Sequence, residues 1–262
     1  MAEQPMTDLI LRTERGNGRI DLTLNRPDKF NVLSEALLAS LKAELALIAA
    51  APGARVVVLS GAGKAFCAGH DLGEMHGQRR LDYYRQLFAT CSDVMEAITA
   101  LPVPVIAKVH GVATAAGCQL VGACDLAMAA ESARFAVSGI NVGLFCSTPA
   151  VALSRNVPAK RAFEMLVTGK FIDARTAAEW GLVNTVVPPE ALDAAVDDLA
   201  ATIAAKSPDA IRRGKALFHA QRERPRAEAY ALACEVMAQN MMDENTAEGI
   251  DAFLGKRSPV WR

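Results

Sequence analysis

"HGVATAAGCQLVGACD", residues 110–125, decides how this chain of 262 residues is read. Just before and into it, "VPVIAKVHG" (103–111) is a short apolar run, the pattern of a strand buried on both faces. The small residues that follow mark the place where the strand ends and a helix begins. A helix start presents backbone N–H groups without intrahelical partners, and here no bulky side chain screens them. Gln119 lies one helical turn in, beside whatever those groups face.

A second segment has the same character. "ARVVVLSG" (54–61) reads as another buried strand and runs into the Gly-rich "GAGKAFCAGHDL" (61–72). Unpaired N–H groups and the helix dipole favour negative charge in front of such junctions. Two of them converging on one oxygen would make an oxyanion hole, with small side chains leaving room for an acyl group. The same composition also suits plain close packing of helix on strand, and spacing alone does not separate the two.

Outward from these segments the organisation is α/β. "GRIDLTLNRP" (18–27) alternates as a half-buried strand stopped by Pro27, and Ser34 is placed to cap a helix over 34–50. A helix is expected near 81–100, and two more strands in 124–138. From about residue 158 the texture is helical: 158–169 stops at Gly169, and 173–181 is framed by Asp173 and Gly181. Three or four further helices fill 189–255, separated by "KSPD" (206–209) and "ERPR" (223–226). Strands alternating with helices imply crossover connections, and there is no internal repeat.

The 28 basic and 29 acidic side chains nearly cancel, so no global field recruits nucleic acid or a membrane surface. The local cluster "RRGK" (212–215) reads as a solvated helix face. Six cysteines without paired spacing, an N-terminus lacking the signal-peptide pattern and no run of 18 apolar residues point to the cytoplasm and reduced thiols. The four histidines do not stand at ligand spacing with the cysteines, so no metal is expected.

Several stretches together resemble the crotonase superfamily, the enoyl-CoA hydratase/isomerase fold. They are "LNRPDKFNVLS" (24–34), "FCAGHDLGEM" (66–75), "PVPVIAKVHGVATAAGCQL" (102–120), "CDLAMAAESARFAVSGINVGL" (124–144) and "EGIDAFLGKRSPVW" (248–261). "ATAAGCQL" and "NVGLFCSTP" are similar to a divergent subgroup, the enoyl-CoA hydratase domain-containing proteins of the third type. The resemblance implies a core of repeated ββα units over residues 1–200. It also implies a helical region, 201–262, that makes trimer contacts and covers the coenzyme A site. The expected ligand is an acyl-CoA, with coenzyme A part of the substrate and no separate cofactor. The expected assembly is a homotrimer or a dimer of trimers.

By the same resemblance, the backbone N–H groups of His70 and Ala116 form the oxyanion hole. Hydratases of the family add two glutamates, one three residues after the second hole position and one in a "PE" pair after the strand "RFAVS". Here those places hold Gln119 and Gly139. Gln119 can hydrogen-bond a water or carbonyl but cannot exchange a proton near neutral pH. Asp71, Glu74, His76 and Cys146 are candidate substitutes, against structural readings for Asp71 and for Cys146 as a buried thiol. Asp125 reads as a buried turn acid. Lys29, Ala68, Asp71 and Leu72, with Phe253 and Lys256 from the last helix, match the segments that meet coenzyme A in relatives. The expectation is an enoyl-CoA hydratase-like enzyme without the usual acids. The alternatives are a decarboxylase or isomerase, or a protein that binds acyl-CoA without turnover.

Overall fold

Each buried strand read from the sequence is followed, after a tight bend, by a second short strand that leaves for another sheet. A computed structural model describes residues 8–262. β1 (Ile10–Glu14) and β2 (Arg19–Leu24) form a hairpin, followed by α1 (Glu35–Ala49). Three ββα turns come next. The first is β3 (Val56–Gly61), β4 (Ala65–Cys67), α2 (Leu72–Gly77) and α3 (Leu81–Ala100). The second is β5 (Val105–Val109), β6 (Val112–Thr114) and α4 (Ala116–Ala123). The third is β7 (Leu126–Ala130), β8 (Arg134–Ala136), α5 (Ser147–Asn156) and α6 (Ala159–Thr168). The chain then runs through β9 (Ile172–Asp173), α7 (Ala174–Glu179) and β10 (Thr185–Val187) into four helices. These are α8 (Leu192–Ala204), α9 (Pro208–Arg222), α10 (Arg226–Met241) and α11 (Glu244–Leu254).

The long strands build one sheet in the order β1-β2-β3-β5-β7-β10, and the short ones build a second, β4-β6-β8-β9. Neighbours are parallel except in the pairs β1-β2 and β8-β9. Each turn therefore gives one strand to each sheet and then a helix, the repeated ββα unit. The bend between strands has no room to spare: a Cβ on Gly111 would sit 2.3 Å from the Lys64 carbonyl oxygen.

Side chains of β3 alternate between two cores, as the period of a strand requires. Val57 and Leu59 face the main core with Leu37, Leu41, Leu45 and Ile48 of α1. Val56 and Val58 join Ile106, Met128 and Ala130 under Leu192, Val196 and Ala200 of α8. At about 1.5–3 kcal/mol per fully buried aliphatic side chain, either face suffices to fix the register. Ser34 caps α1 by accepting from the Leu37 N–H. The expected division at residue 200 falls inside α8, whose buried face is continuous with the sheet. α9 and α11 bury few residues and α10 none; Tyr230, Met237, Met242, Phe253 and Leu254 stand exposed.

Candidate active site

The two Gly- and Ala-rich loops lie backbone against backbone. A Cβ on Gly117 would meet the Cys67 carbonyl oxygen at 2.1 Å, and one on Gly69 would meet the Ala115 Cβ at 2.9 Å and the Ala116 nitrogen at 3.4 Å. His70 and Ala116 are thus brought together. The Leu33 N–H donates to the Gly69 carbonyl at 2.7 Å, and the Asp71 N–H donates to the Leu33 carbonyl at 3.4 Å. His70 sits between them with its own amide turned away. Among the described residues, neither the His70 nor the Ala116 N–H donates a hydrogen bond within the protein.

Ala115 explains the direction of the second group. Its backbone stands at φ +50°, ψ −121°, outside the left-handed helical well that non-glycine residues can visit. Holding alanine there costs ~1–3 kcal/mol, the kind of local strain found where backbone must aim at a ligand. No side chain caps α4, and the Ala116 N–H in its first turn has no partner among the described residues. The sequence pattern shows small residues at this junction but not the positive φ, because alanine gives no sign of it.

The His70 imidazole packs edge-on against Phe88 with centroids 5.6 Å apart. Neither ring nitrogen has a hydrogen-bond partner. Burial lowers its pKa; the nearby Leu33 carbonyl opposes the shift without reaching hydrogen-bond geometry. Burial thus favours the neutral ring.

Gln119 lies on the same face of α4 as Ala116, three residues on. It is only 4% exposed, and its Oε1 is buried without a partner. Gly139, where the resemblance leads us to expect the second glutamate's position, has no room for a side chain. A Cβ on Gly139 would come within 2.5 Å of the Leu144 carbonyl oxygen and 2.8 Å of the Cys146 Sγ, to which the Gly139 N–H donates at 3.3 Å. Burial holds the Cys146 thiol above its usual pKa and therefore protonated.

The other carboxylates are occupied. Asp71 Oδ1 accepts from the N–H groups of Gly73 and Glu74, and Oδ2 accepts from Arg26. Glu74 accepts from the Glu35 N–H at the start of α1. Asp125 accepts from the Val105 N–H, the Lys215 ammonium at 2.7 Å and His219 Nε2 at 3.0 Å. This last contact corrects the reading of "RRGK" as a solvated face. Lys215 is buried, with Ile98 and Val103 carbonyls as its other partners, and Arg213 pairs with Asp243. The local charge cluster hid a buried cation because its partner lies 90 residues earlier in the chain.

The segments expected to meet coenzyme A are partly assembled. Ala68 donates to the Phe30 carbonyl, so Lys29, Ala68, Asp71 and Leu72 share one neighbourhood, with Lys29 and Leu72 exposed. Asn31, buried and at φ +54°, ties this turn to the first loop through the Ala62 and Ala65 carbonyls. Phe253, 82% exposed, and Lys256 stand apart from these segments. α11 is anchored elsewhere, through Asn245 to Asp209 and the Trp261 indole to the Ala205 carbonyl.

The comparisons with known proteins agree with this geometry. The family model described as enoyl-CoA hydratase/isomerase matches residues 14–262. The mitochondrial enoyl-CoA hydratase domain-containing protein 3 of Rattus norvegicus is 45% identical over 95% of this chain and 83% of its own. A crystal structure of an enoyl-CoA hydratase from Mycobacterium smegmatis is 57% identical, covers 97% of this chain and 98% of that one, and has a TM-score of 0.96. Human enoyl-CoA hydratase domain-containing protein 3, also a crystal structure, is 43% identical over 97% of this chain and all of that one, with a TM-score of 0.94. With its two sheets, its ββα repeat and matches along nearly its whole length, this chain belongs to the enoyl-CoA hydratase/isomerase family.

Proposed function

We propose that this chain binds acyl-CoA thioesters and stabilises their enolates through the N–H groups of His70 and Ala116, without the carboxylate pair of ordinary hydratases. The observation that carries this reading is the pair of unengaged amides on abutting loops, with Ala115 held at φ +50°. Losing one such donor costs ~2.7–4 kcal/mol of transition-state stabilisation. Gln119 holds a water or the acyl group by hydrogen bonds. The exposed apolar side chains of α10 and α11 support a homotrimer or a dimer of trimers, in which Phe253 and Lys256 would meet a nucleotide bound to a neighbouring copy. Light scattering measures that mass.

One observation favours decarboxylation, or binding without turnover, over hydration. The carboxylates weighed as substitutes are capped or paired, and the room for a second glutamate is closed by Cys146. Departing CO₂ would leave an enolate directly in the hole and needs no general base. The test follows loss of enoyl absorbance with short and long trans-2-enoyl-CoA, and CO₂ release from malonyl-type thioesters. It compares the wild type with Ala116→Pro, because proline at the first helical position is tolerated but lacks the N–H. A loss of ~10²–10³-fold in the variant is expected for whichever reaction runs. A folded Pro variant of undiminished activity removes Ala116 from the mechanism.

A further inference from the structure

A cavity of about 950 Å³ opens beside Gln119, between α3, α4, α5 and α9. Its floor is the face of α4 that carries Gln119, Gly122 and Ala123, and it runs on to Asp125 and His219. At ~1.5 Å per residue, the row from Gln119 to Asp125 is on the order of 9 Å long, within reach of a medium-length acyl chain whose thioester sits at Ala116.

Gln119 brings both a donor and an acceptor to this floor, and its Nε2 has no hydrogen-bond partner among the described residues. Gln119 Oε1 is a buried acceptor without a donor. Asp125 accepts from His219 Nε2, which therefore carries a proton. Nδ1, the other hydrogen-bonding atom of the ring, has no hydrogen bond among the described residues. The cations nearby are occupied: Lys215 by two carbonyls and Asp125, Arg155 by Glu223 and the Val151 carbonyl, and Arg222 by the Arg155 carbonyl and the face of Phe218. A site with a free amide, a free imidazole nitrogen and engaged cations suits a neutral ligand that both donates and accepts hydrogen bonds, such as a hydroxyl, and not an anion. Met95, Val151, Ile211 and Phe218 supply apolar wall between its ends.

We propose that this cavity takes the distal part of a hydroxylated acyl chain, and that His219, oriented by Asp125, reads the hydroxyl. The proposal rests on the reading of His70 and Ala116 as a thioester site and names the substrate class of that site. A site that hydrogen-bonds a substrate hydroxyl discriminates against an analogue lacking it, most strongly where the unpaired group is buried, as Gln119 Oε1 is.

Isothermal titration of the full-length protein with octanoyl-CoA, its ω-hydroxy form and the form hydroxylated one carbon earlier tests this directly. At least one hydroxylated thioester is expected to bind about 10-fold more tightly than octanoyl-CoA. His219→Leu should reduce that preference to within about 2-fold. His219→Gln keeps an acceptor at the position and should retain part of the preference, which covers a Leu variant that fails to fold. Octanoyl-CoA binding as tightly as both hydroxylated forms overturns the proposal and leaves the thioester site standing, as does a preference that survives in His219→Leu. If none of the three binds better than coenzyme A alone, both readings fall.

Discussion

Gly117→Ala and Gly214→Ala make the same chemical change on two helices and should act in opposite directions. A methyl on Gly117 would lie 2.1 Å from the Cys67 carbonyl oxygen, where ordinary contact begins at 3.4 Å. The two loops must therefore separate by more than 1 Å, and both partners in the clash are backbone. Alanine improves helix propensity by ~1 kcal/mol, and overpacking costs ~1–3 kcal/mol, so the net effect is a melting temperature a few degrees lower. The functional effect is larger. A misplacement of about 1 Å costs ~10²-fold in a reaction that depends on aligned donors. At Gly214 on α9 no atom lies within 4 Å of the added methyl, so alanine there should stabilise by ~0.5–1 kcal/mol and raise the melting temperature by ~1–4 °C. Circular dichroism melts read the stability. The infrared band of a bound, carbon-13-labelled thioester carbonyl reads the hole: it should shift to lower frequency in the wild type and in Gly214→Ala, and less in Gly117→Ala. A folded Gly117→Ala protein with the full wild-type shift would refute the placement of the donors on these abutting loops.

Other outcomes follow from the same contacts. Ala115→Gly relieves ~1–3 kcal/mol of backbone strain and gives back ~0.5–1 kcal/mol in chain entropy, so a thermal melt should move upward by a few degrees; a downward shift would show that the alanine is unstrained. Gly139→Glu meets Leu144 and Cys146 and should cost at least ~1–3 kcal/mol, whereas Gln119→Glu is isosteric and should keep the fold in the same melting assay. Burial raises Cys67, Cys91 and Cys118 from 9.0 to about 12. Their protonated state stabilises the fold fully below pH 9, and that contribution is lost from there to pH 12, at ~1.4 kcal/mol per unit and thiol. Lys215, lowered below 10.5 chiefly by burial, works the other way: the folded chain gives up that proton first, so stability rises with pH until the unfolded chain has released it too. Three thiols outweigh one lysine, so urea midpoints should fall between pH 9 and 11; a flat profile would contradict the buried thiols.

Much of the α/β core was legible because its long strands are continuous apolar runs and its helices carry end signals such as Ser34, Asp173 and Gly169. Three of the second-sheet strands were not: β4 and β6 are three residues each, hidden inside "KAFCAG" and "HGVATAA", and β9 is two, all too short to show a period. β8 was visible because Glu131–Ser132 separate it from β7. At the site, the two small-residue loops and Gln119 could be read from the sequence. The strain at Ala115, the thiol closing the second acid's place and the Asp125–Lys215–His219 cluster could not. Each depends on backbone angle or on partners from distant segments, which a local pattern does not carry.

The arrangement also limits what chemistry can be asked of the chain. A hydratase must deliver a proton and a hydroxyl to one double bond, and each needs a titratable group poised near neutral pH. Around the hole stand an amide, a thiol kept protonated by burial, a histidine whose burial favours the neutral ring, and carboxylates already holding helix ends. None of these is tuned to carry a proton back and forth. On the proposed reading, what remains is a pair of fixed backbone N–H dipoles that stabilise negative charge on one oxygen. A reaction that makes an enolate without asking the protein for a proton uses all of that machinery. Restoring one acid by Gln119→Glu should therefore raise enoyl-CoA hydration without weakening the carbonyl shift, because the hole and the missing proton carrier are separable parts. An equal loss of both in that variant would mean that Gln119 is itself part of the hole.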